Sequence, residues 1–230
     1  MGIIKRGDIV ELDLAKELQF RGADFIYSID ISKLSARENR GYPNALLIVA
    51  TLSPECIYSL SSDYAAAHDE FVKKEKMTDE LAEYAADYLI ERGYRAYAQS
   101  EKNNLRYGFY DDSIKTTPLP HKTIALQTGM GWIGKNALFV TKEYGSALSM
   151  CSVLTDAPLE NQNKEPMESL CGKCDICKCV CPTQTIHGKE WKFCVEREDL
   201  LDVLNCECCL KCLVLCPWTQ AYIKKIEKHK

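Results

Sequence analysis

The chain has 230 residues, of which 46% are hydrophobic and 27% are charged, and its net charge is -4. This composition is ordinary for a folded globular protein. The negative balance provides no general basic field that would hold nucleic acid. The longest apolar run, at positions 45–50, is far too short to span a bilayer, so we expect no membrane segment and a cytoplasmic location.

The first part of the chain alternates helical and extended patterns. Apolar residues recur at helical spacing over Val10–Phe20, and Gly22 then ends the pattern. Extended segments are predicted next, over residues 23–31 and over the short apolar run 45–52.

The clearest helical pattern covers Asp79–Arg92, with Thr78 as the expected N-cap residue. Strand patterns follow over residues 94–98, 137–141 and 147–155. Helices interleaved with strands indicate a layered α+β domain.

The 13 cysteines are unevenly distributed, because all except Cys56 and Cys151 lie in the segment 171–216. Disulfides are disfavoured in a reducing cytosol, so this density of thiols indicates metal ligands. We therefore predict an α+β domain at residues 1–158 and a separate metal-binding module with a short helical tail at residues 159–230.

The clustered cysteines form two runs of one spacing, Cys-x2-Cys-x2-Cys-x3-Cys-Pro. This is the bacterial ferredoxin spacing, in which the fourth cysteine of each run ligates the other 4Fe–4S cluster. The predicted ligands of one cluster are Cys171, Cys174, Cys177 and Cys216, and those of the other are Cys181, Cys206, Cys209 and Cys212.

Two alternatives to this assignment stay open. Zinc sites also use cysteine pairs, but zinc ribbons have two Cys-x2-Cys pairs rather than triplets that end in Cys-Pro. Cys194 lies between the runs and could replace Cys206, although the repeated spacing favours Cys206. The remaining four cysteines are expected to be small buried side chains. These four are Cys56, Cys151, Cys179 and Cys208.

A glycine-rich segment, Gly129–Asn136, contains G-x-G-x-x-G and invites comparison with dinucleotide-binding folds. Asp156 even stands where a ribose-binding acid could lie. The context does not fit, because the preceding residues look helical, the following residues look extended, and Trp132 is bulky for a turn that approaches phosphate. A structural turn whose tryptophan packs in the core is the simpler interpretation.

Several segments together resemble the epoxyqueuosine reductases and their shorter relatives. They are Leu119–Lys122, Gly129–Asn136, Glu143–Gly145, Val153–Asp156 and both cysteine runs, including Cys-Pro-Trp at 216–218. The resemblance covers roughly residues 45–220 and is specific from residue 119 onward.

The resemblance implies a nitroreductase-like, cobalamin-binding α+β domain beside a ferredoxin-like module with two 4Fe–4S clusters. These enzymes are related to the cobalamin-dependent reductive dehalogenases, and their electrons pass through the clusters to a base-off corrinoid. It also implies cofactor-binding residues in the glycine-rich segment, and these are Gly129, Gly131, Trp132, Gly134, Lys135 and Asn136.

The resemblance is incomplete at the position of the proton donor. Epoxyqueuosine reductases carry an Asp in an Asp-Ser/Thr-x-Pro segment shortly before the Gly-Trp motif, whereas Lys115 stands at the ungapped position here. The candidate catalytic residues are therefore His121, Lys115 and Tyr110. The family's C-terminal helical repeats for tRNA have no counterpart in this sequence, so tRNA is not an expected partner.

The sequence thus predicts an iron–sulfur oxidoreductase that passes electrons to a corrinoid and reduces an unidentified substrate. Its expected partners are a low-potential electron donor of the ferredoxin or flavodoxin type and a small molecule or a corrinoid partner. An electron-transfer protein that reduces a corrinoid partner, with no substrate chemistry of its own, is the alternative. A flavin enzyme is a third reading with no positive support in the sequence.

Overall fold

The computed structural model describes residues 6–62 and 64–227. Four strands form the main sheet in the order β1-β2-β6-β3, and each neighbouring pair is antiparallel. A separate antiparallel hairpin contains β4 and β5. The strands are β1 Phe25–Asp30, β2 Asn44–Thr51, β3 Ala96–Ala98, β4 Gly131–Ile133, β5 Phe139–Thr141 and β6 Leu148–Thr155.

Helices surround the main sheet and continue through the cysteine-rich segment. The long α4 contributes one face of the core, whereas most helices after β6 are a single turn or little more. The helices are α1 Arg6–Phe20, α2 Ala36–Asn39, α3 Pro54–Ser62, α4 Tyr64–Glu91, α5 Glu101–Arg106, α6 His121–Leu126, α7 Ile176–Val180, α8 Arg197–Leu200, α9 Lys211–Val214 and α10 Pro217–Glu227.

The buried strand β2 organises two cores, one on each face of the sheet. Its side chains alternate between the faces, as the pleat of a strand requires. Leu46 and Ile48 join the core formed with α1 and α4, whereas Leu47 and Val49 join the core formed with α6 and the β4–β5 hairpin. The sheet is therefore covered on both faces, which explains the continuous apolar run in its sequence.

A third core joins the cysteine-rich segment to the rest of the protein. Ile57 and Leu60 of α3 pack with Leu213 of α9 and with Tyr222 of α10. The Tyr222 hydroxyl also donates a hydrogen bond of 3.1 Å to the carbonyl oxygen of Leu52. The two predicted parts of the chain thus share a core, and the boundary at residue 158 stays a prediction.

The segment 157–168 contains no helix or strand, but it is held along the sheet domain. The Gln162 amide donates to the Ser28 carbonyl at 2.7 Å, and the Lys164 amide donates to the Gln127 carbonyl at 2.7 Å. These backbone bonds fix the path of the chain toward the cysteines.

The predicted strands all occur, but α4 begins much earlier than its apolar face indicated. Thr78 is therefore not an N-cap residue: it lies inside the helix, and its hydroxyl donates to the Glu75 carbonyl at 2.8 Å. A threonine inside a helix can satisfy its hydroxyl in this way. Across residues 6–62 and 64–227, no helix is both long and apolar enough to cross a membrane.

Candidate functional site

A cavity of about 840 Å³ lies where the sheet domain meets the cysteine-rich segment. Its walls come from several separate stretches of the chain. Their principal lining residues are Glu75, Asp79, Gln99, Glu101, Tyr110, Lys115, His121, Lys122, Ala137, Leu138, Leu148, Ser149, Arg197, Leu210 and Leu213. A space of this size is in the range of small-molecule and cofactor sites.

The three candidate catalytic residues, Tyr110, Lys115 and His121, all line this cavity. Lys115 lies on a short hairpin loop and places its Nζ 2.5 Å from Asp112 Oδ1. That contact raises the pKa of Lys115, so the ammonium is retained at neutral pH. The structure brings the three together, and their catalytic roles stay predictions.

His121 is held in a defined position by the sheet. Its Nδ1 lies 2.8 Å from Ser152 Oγ, and that oxygen also accepts a 2.7 Å hydrogen bond from Gln99 Nε2. Ser152 is fully buried, and the His121 ring is the one acceptor described for its hydroxyl proton. The geometry therefore favours the tautomer that keeps a proton on Nε2.

Burial, and then the Arg40 guanidinium, lower the pKa of His121 to about 4. Arg40 Nη2 donates to Gln99 Oε1 at 2.8 Å, which joins it to the same chain of hydrogen bonds. At neutral pH His121 is consequently an uncharged imidazole whose Nε2–H can donate to a bound ligand.

Two cations at the cavity, Lys122 and Arg197, were missed by the sequence analysis. Lys122 Nζ donates to the Ala137 carbonyl at 3.0 Å, and burial followed by the nearby Arg197 charge lowers the pKa of Lys122 to about 8. Its position directly after His121 in the Leu-Pro-His-Lys stretch could have indicated it. Nothing in the sequence pattern indicates Arg197, which folding brings in from the cysteine-rich segment.

The wall formed by α4 is acidic. Withdrawal from solvent, and then the carboxylates of Asp79 and Glu101, raise the pKa of Glu75 to about 7. Burial also raises the pKa of Asp79, although its Oδ2 accepts a 2.8 Å hydrogen bond from the Glu101 amide. The cavity is therefore lined both by carboxyl groups that hold protons more readily than ordinary ones and by the basic side chains of Lys122 and Arg197.

The glycine-rich segment forms part of the β4–β5 hairpin and is not part of the described cavity lining. Of its six predicted cofactor-binding residues, none is among the described residues that line the cavity. A Cβ at Gly131 would lie 2.1 Å from the Val140 carbonyl oxygen, and one at Gly134 would lie 2.6 Å from Asn136 Oδ1. These glycines let the β4–β5 hairpin close tightly. Contact of the segment with a cofactor stays a prediction.

The same segment contacts the cysteine runs directly. Lys135 Nζ lies 2.9 Å from Asp175 Oδ1, inside the first run, and Asn136 Nδ2 donates to the Cys212 carbonyl at 3.2 Å. Trp132 is fully buried and stacks edge-on against Trp218, with ring centroids 5.3 Å apart. Its indole N–H has no hydrogen-bond partner among the described residues. The motif therefore docks the cysteine-rich segment onto the sheet domain.

The first predicted set of cluster ligands is gathered in one place. Burial, together with the neighbouring thiols of Cys171, Cys174 and Cys216, raises the pKa of Cys177 to about 11. Burial raises the pKa of Cys216, and the Cys171 and Cys174 thiols contribute to the increase. The fourth cysteine of the second run thus lies with the first three of the first run, as the ferredoxin pattern requires.

The second set is also gathered, around Cys212. Burial raises the pKa of Cys212 to about 12, with contributions from the Cys206, Cys209 and Cys181 thiols as well as Cys177. Burial would also raise the pKa of Cys181, but hydrogen bonds from Thr185 and Thr183 outweigh it and lower that pKa to about 7. Cys181 therefore reaches the second run, and its sulfur is surrounded by hydroxyl donors.

The remaining cysteines divide into two kinds. Cys56 and Cys151 are buried, as expected, whereas the expectation of burial was wrong for Cys179 and Cys208, which are exposed. Cys179 lies on the short helix α7 between the predicted ligands Cys177 and Cys181, and Cys208 lies on a loop directly before Cys209. Cys194 is exposed as well, and Cys206 rather than Cys194 neighbours Cys212. This geometry favours Cys206 as the eighth ligand, and the assignment stays a prediction.

Within the described part of the chain, no group of three or more His, Cys, Asp or Glu side chains is arranged to hold a single metal ion. A cubane cluster is larger than one ion, so its four thiolates stand further apart than the ligands of zinc.

The chain is similar to epoxyqueuosine reductases, although no protein-family model matches it. The enzyme of Listeria monocytogenes is 32% identical over 123 residues, covering 47% of this chain and 32% of that protein. The enzyme of Pseudomonas aeruginosa is 28% identical over 221 residues, covering 84% of this chain and 58% of that protein. The enzyme of Escherichia coli is 24% identical over 202 residues, covering 81% of this chain and 48% of that protein. The chain thus spans less than two thirds of each relative.

Solved structures show the same fold. An epoxyqueuosine reductase with an epoxyqueuosine-modified tRNA stem loop aligns with a TM-score of 0.61 at 16% identity, over 94% of this chain and 67% of that one. A catabolic reductive dehalogenase in complex with 3-bromo-4-hydroxybenzoic acid aligns with a TM-score of 0.59 at 17% identity, over 74% of this chain and 24% of that one. The predicted resemblance is confirmed, and with 13 cysteines in the chain it points to iron–sulfur clusters.

Proposed function

We propose that the chain is an iron–sulfur reductase that uses two 4Fe–4S clusters to deliver electrons to a ligand in the cavity described above. We further propose that a base-off corrinoid occupies part of this cavity and that the fold is the nitroreductase-like and ferredoxin-like pair implied by the resemblance. The substrate is a small molecule or a corrinoid partner rather than tRNA, and the protein is cytoplasmic.

One observation carries the proposal: the cavity and the second cysteine group share a wall. Leu210 and Leu213 line the cavity, and they alternate along the chain with Cys209 and Cys212 of the second group. A cluster held by these thiolates would be separated from a cavity ligand by little more than one layer of side chains. Such a short separation suits electron transfer from cluster to ligand.

The residues at the cavity fit a corrinoid bound without a histidine ligand to cobalt. His121 Nδ1 is occupied by Ser152, and the favoured tautomer places a proton on Nε2, so neither ring nitrogen offers a free lone pair. The cluster-side wall of leucines is apolar, whereas the opposite parts of the cavity are polar. When bound, a corrinoid supplies low-potential cobalt chemistry, and the protein supplies placement and electrostatics.

The chain's own groups would then serve the substrate. His121 Nε2–H can donate a hydrogen bond, and the Lys115 ammonium and the Tyr110 hydroxyl offer protons at the same cavity. The missing Asp of the epoxyqueuosine reductases is thus replaced by other proton-bearing groups. A low-potential donor of the ferredoxin or flavodoxin type would reduce the clusters.

The test uses anaerobically purified, cluster-reconstituted protein titrated with hydroxocobalamin under reducing conditions. We expect binding and the electron paramagnetic resonance spectrum of base-off cob(II)alamin. Leu138→Trp, which fills the cavity, should bind at least tenfold more weakly, whereas Leu170→Trp, at an exposed site outside the cavity lining, should bind as the wild type does.

Two outcomes would contradict the proposal. Wild-type protein with intact clusters that leaves the corrinoid spectrum unchanged would instead favour the electron-carrier reading, in which the chain reduces a separate partner. Equal binding by both tryptophan variants would place any corrinoid outside this cavity.

A further inference from the structure

Lys122 has capacity for further hydrogen bonds at the cavity. Its ammonium carries three N–H donors, and the Ala137 carbonyl is the one hydrogen-bond acceptor described for it. The side chain is partly buried and lines the cavity. A half-desolvated ammonium with spare donors is stabilised when a ligand supplies the missing acceptors.

Arg197 brings a second cation to the same wall. Its Nη1 donates to the Lys115 carbonyl at 2.9 Å, its Nη2 donates to the Ile114 carbonyl, and its Nε lies 3.1 Å from Glu198 Oε1. These contacts fix the guanidinium, whose side chain is 17% exposed, and leave one Nη1–H without a described acceptor. The donors of Arg197 and Lys122 are therefore preorganised rather than mobile.

The charges around these donors leave this wall positive. Glu198 offsets one of the two cations and Asp112 offsets Lys115, so one positive charge is not balanced. The acidic residues Glu75 and Asp79 line the cavity from α4. An oxyanion in the cavity would thus be drawn to the Lys122 wall rather than to the α4 wall, which orients the ligand.

We propose that Lys122 and Arg197 form a binding site for an oxyanion, a phosphate or carboxylate group, of the cavity's ligand. The inference rests on the proposed function for the use of this cavity. The anion has two chemical sources: the phosphodiester of a complete corrinoid, or a separate anionic substrate. Charge-assisted hydrogen bonds of this kind are worth a tenfold to hundredfold in affinity.

The experiment measures binding of three probes by the reconstituted protein: hydroxocobalamin, cobinamide, which has the corrin ring but no nucleotide phosphodiester, and inorganic phosphate. Lys122→Met is compared with Lys122→Arg, which keeps the charge, and with Lys142→Met, which removes an exposed lysine outside the cavity lining. Iron content and thermal unfolding establish that each variant is folded.

If the anion belongs to the corrinoid, Lys122→Met binds hydroxocobalamin about tenfold or more weakly and binds cobinamide like the wild type. If it belongs to a separate substrate, Lys122→Met loses phosphate binding and keeps both corrinoids. In either case Lys122→Arg should keep most of the affinity that Lys122→Met loses. Lys142→Met should bind all three probes like the wild type.

A folded Lys122→Met variant that binds phosphate and hydroxocobalamin like the wild type would overturn the anion site. Failure of the wild type to bind either corrinoid would instead count against the proposed function, and the phosphate arm would still test Lys122. The anion site would also be overturned if the wild type did not bind phosphate and bound hydroxocobalamin no more tightly than cobinamide.

Discussion

Lys135 and Asp175, 40 residues apart in the chain, form an ion pair with Nζ 2.9 Å from Oδ1. Lys135 belongs to the glycine-rich segment, and Asp175 lies between two cysteines of the first run. Burial would lower the pKa of Lys135, but Asp175 and the nearby Cys171 raise it. The glycine-rich segment therefore acts as a docking site for the first cysteine loop.

Replacing Lys135 with Met should weaken this docking. The lysine side chain is 8% exposed and its partner is 52% exposed, so the pair is partly screened, and we expect a loss of roughly 1–2 kcal/mol of unfolding free energy. Thermal unfolding and iron retention measure the effect. Lys102→Met is the matched control, because its pair with Glu83 is exposed and should contribute less than about 0.5 kcal/mol. Equal stability of the two variants would argue against docking.

Gly131→Ala tests whether the hairpin needs glycine for steric reasons. The added Cβ would lie 2.1 Å from the Val140 carbonyl oxygen, so the backbone of β4 and β5 must separate, at a cost of about 3 kcal/mol or more. Gly108→Ala is the control, since it meets no atom within 4 Å and carries only the strain of its positive φ, about 1 kcal/mol. Chemical unfolding compares them, and a Gly131 variant as stable as the control would refute the packing role.

Much of the fold could be predicted from the sequence because it is recorded in local patterns. The continuous apolar run of β2 predicted a buried strand, and the repeated cysteine spacing predicted which thiols would gather. The early start of α4 could not be predicted, because its first turns have no clear apolar face. Helix α4 also packs against α3, and tertiary contacts of this kind stabilise a helix beyond its local pattern.

The site was harder to predict than the fold. His121, Lys115 and Tyr110 were identified as candidates, and the structure brings them to one cavity. Arg197 was missed because Lys115 and Lys122, the groups it meets at the cavity, are more than 70 residues away along the chain. The cofactor-binding residues of the glycine-rich segment came from the family resemblance and stay a prediction; the docking contacts of Lys135 and Asn136 could not be predicted, because they join parts of the chain that are far apart in sequence.

Thr185→Val should lower the reduction potential of the cluster that we propose for the second cysteine group. The Thr185 hydroxyl lies 3.4 Å from Cys181 Sγ and is buried. Hydrogen bonds to a ligand sulfur stabilise the more negative, reduced cluster, so removing one makes reduction harder. Anaerobic spectroelectrochemical titration measures the two potentials. The control is Thr128→Val, which removes a hydroxyl that donates to the Ala125 carbonyl and is distant in sequence from the cysteine runs; it should leave both potentials unchanged. Unchanged potentials in Thr185→Val would contradict the prediction.

His121 should make the protein less stable in mild acid. Its pKa is about 4 in the folded chain and about 6.5 in an unfolded one, so between these values only the unfolded chain binds the proton. Stability is therefore lost as the pH falls below about 6.5 and is unaffected by this group at higher pH.

His121→Gln removes this dependence, and between pH 7.5 and 5.5 the variant should lose about 1 kcal/mol less than the wild type. Anaerobic thermal unfolding at the two pH values gives the comparison. Equal losses of stability in the two proteins would show that His121 takes up its proton as readily in the folded chain as in the unfolded one.

Iron and acid-labile sulfide, counted in anaerobically isolated protein, test most directly whether the two thiolate groups hold 4Fe–4S clusters. We predict about eight irons and about eight sulfides per chain, a count that Cys194→Ser retains and Cys206→Ser reduces. A colourless protein that contains zinc but neither iron nor sulfide would contradict the account. Loss of about four irons in Cys194→Ser alone would overturn the choice of the eighth ligand.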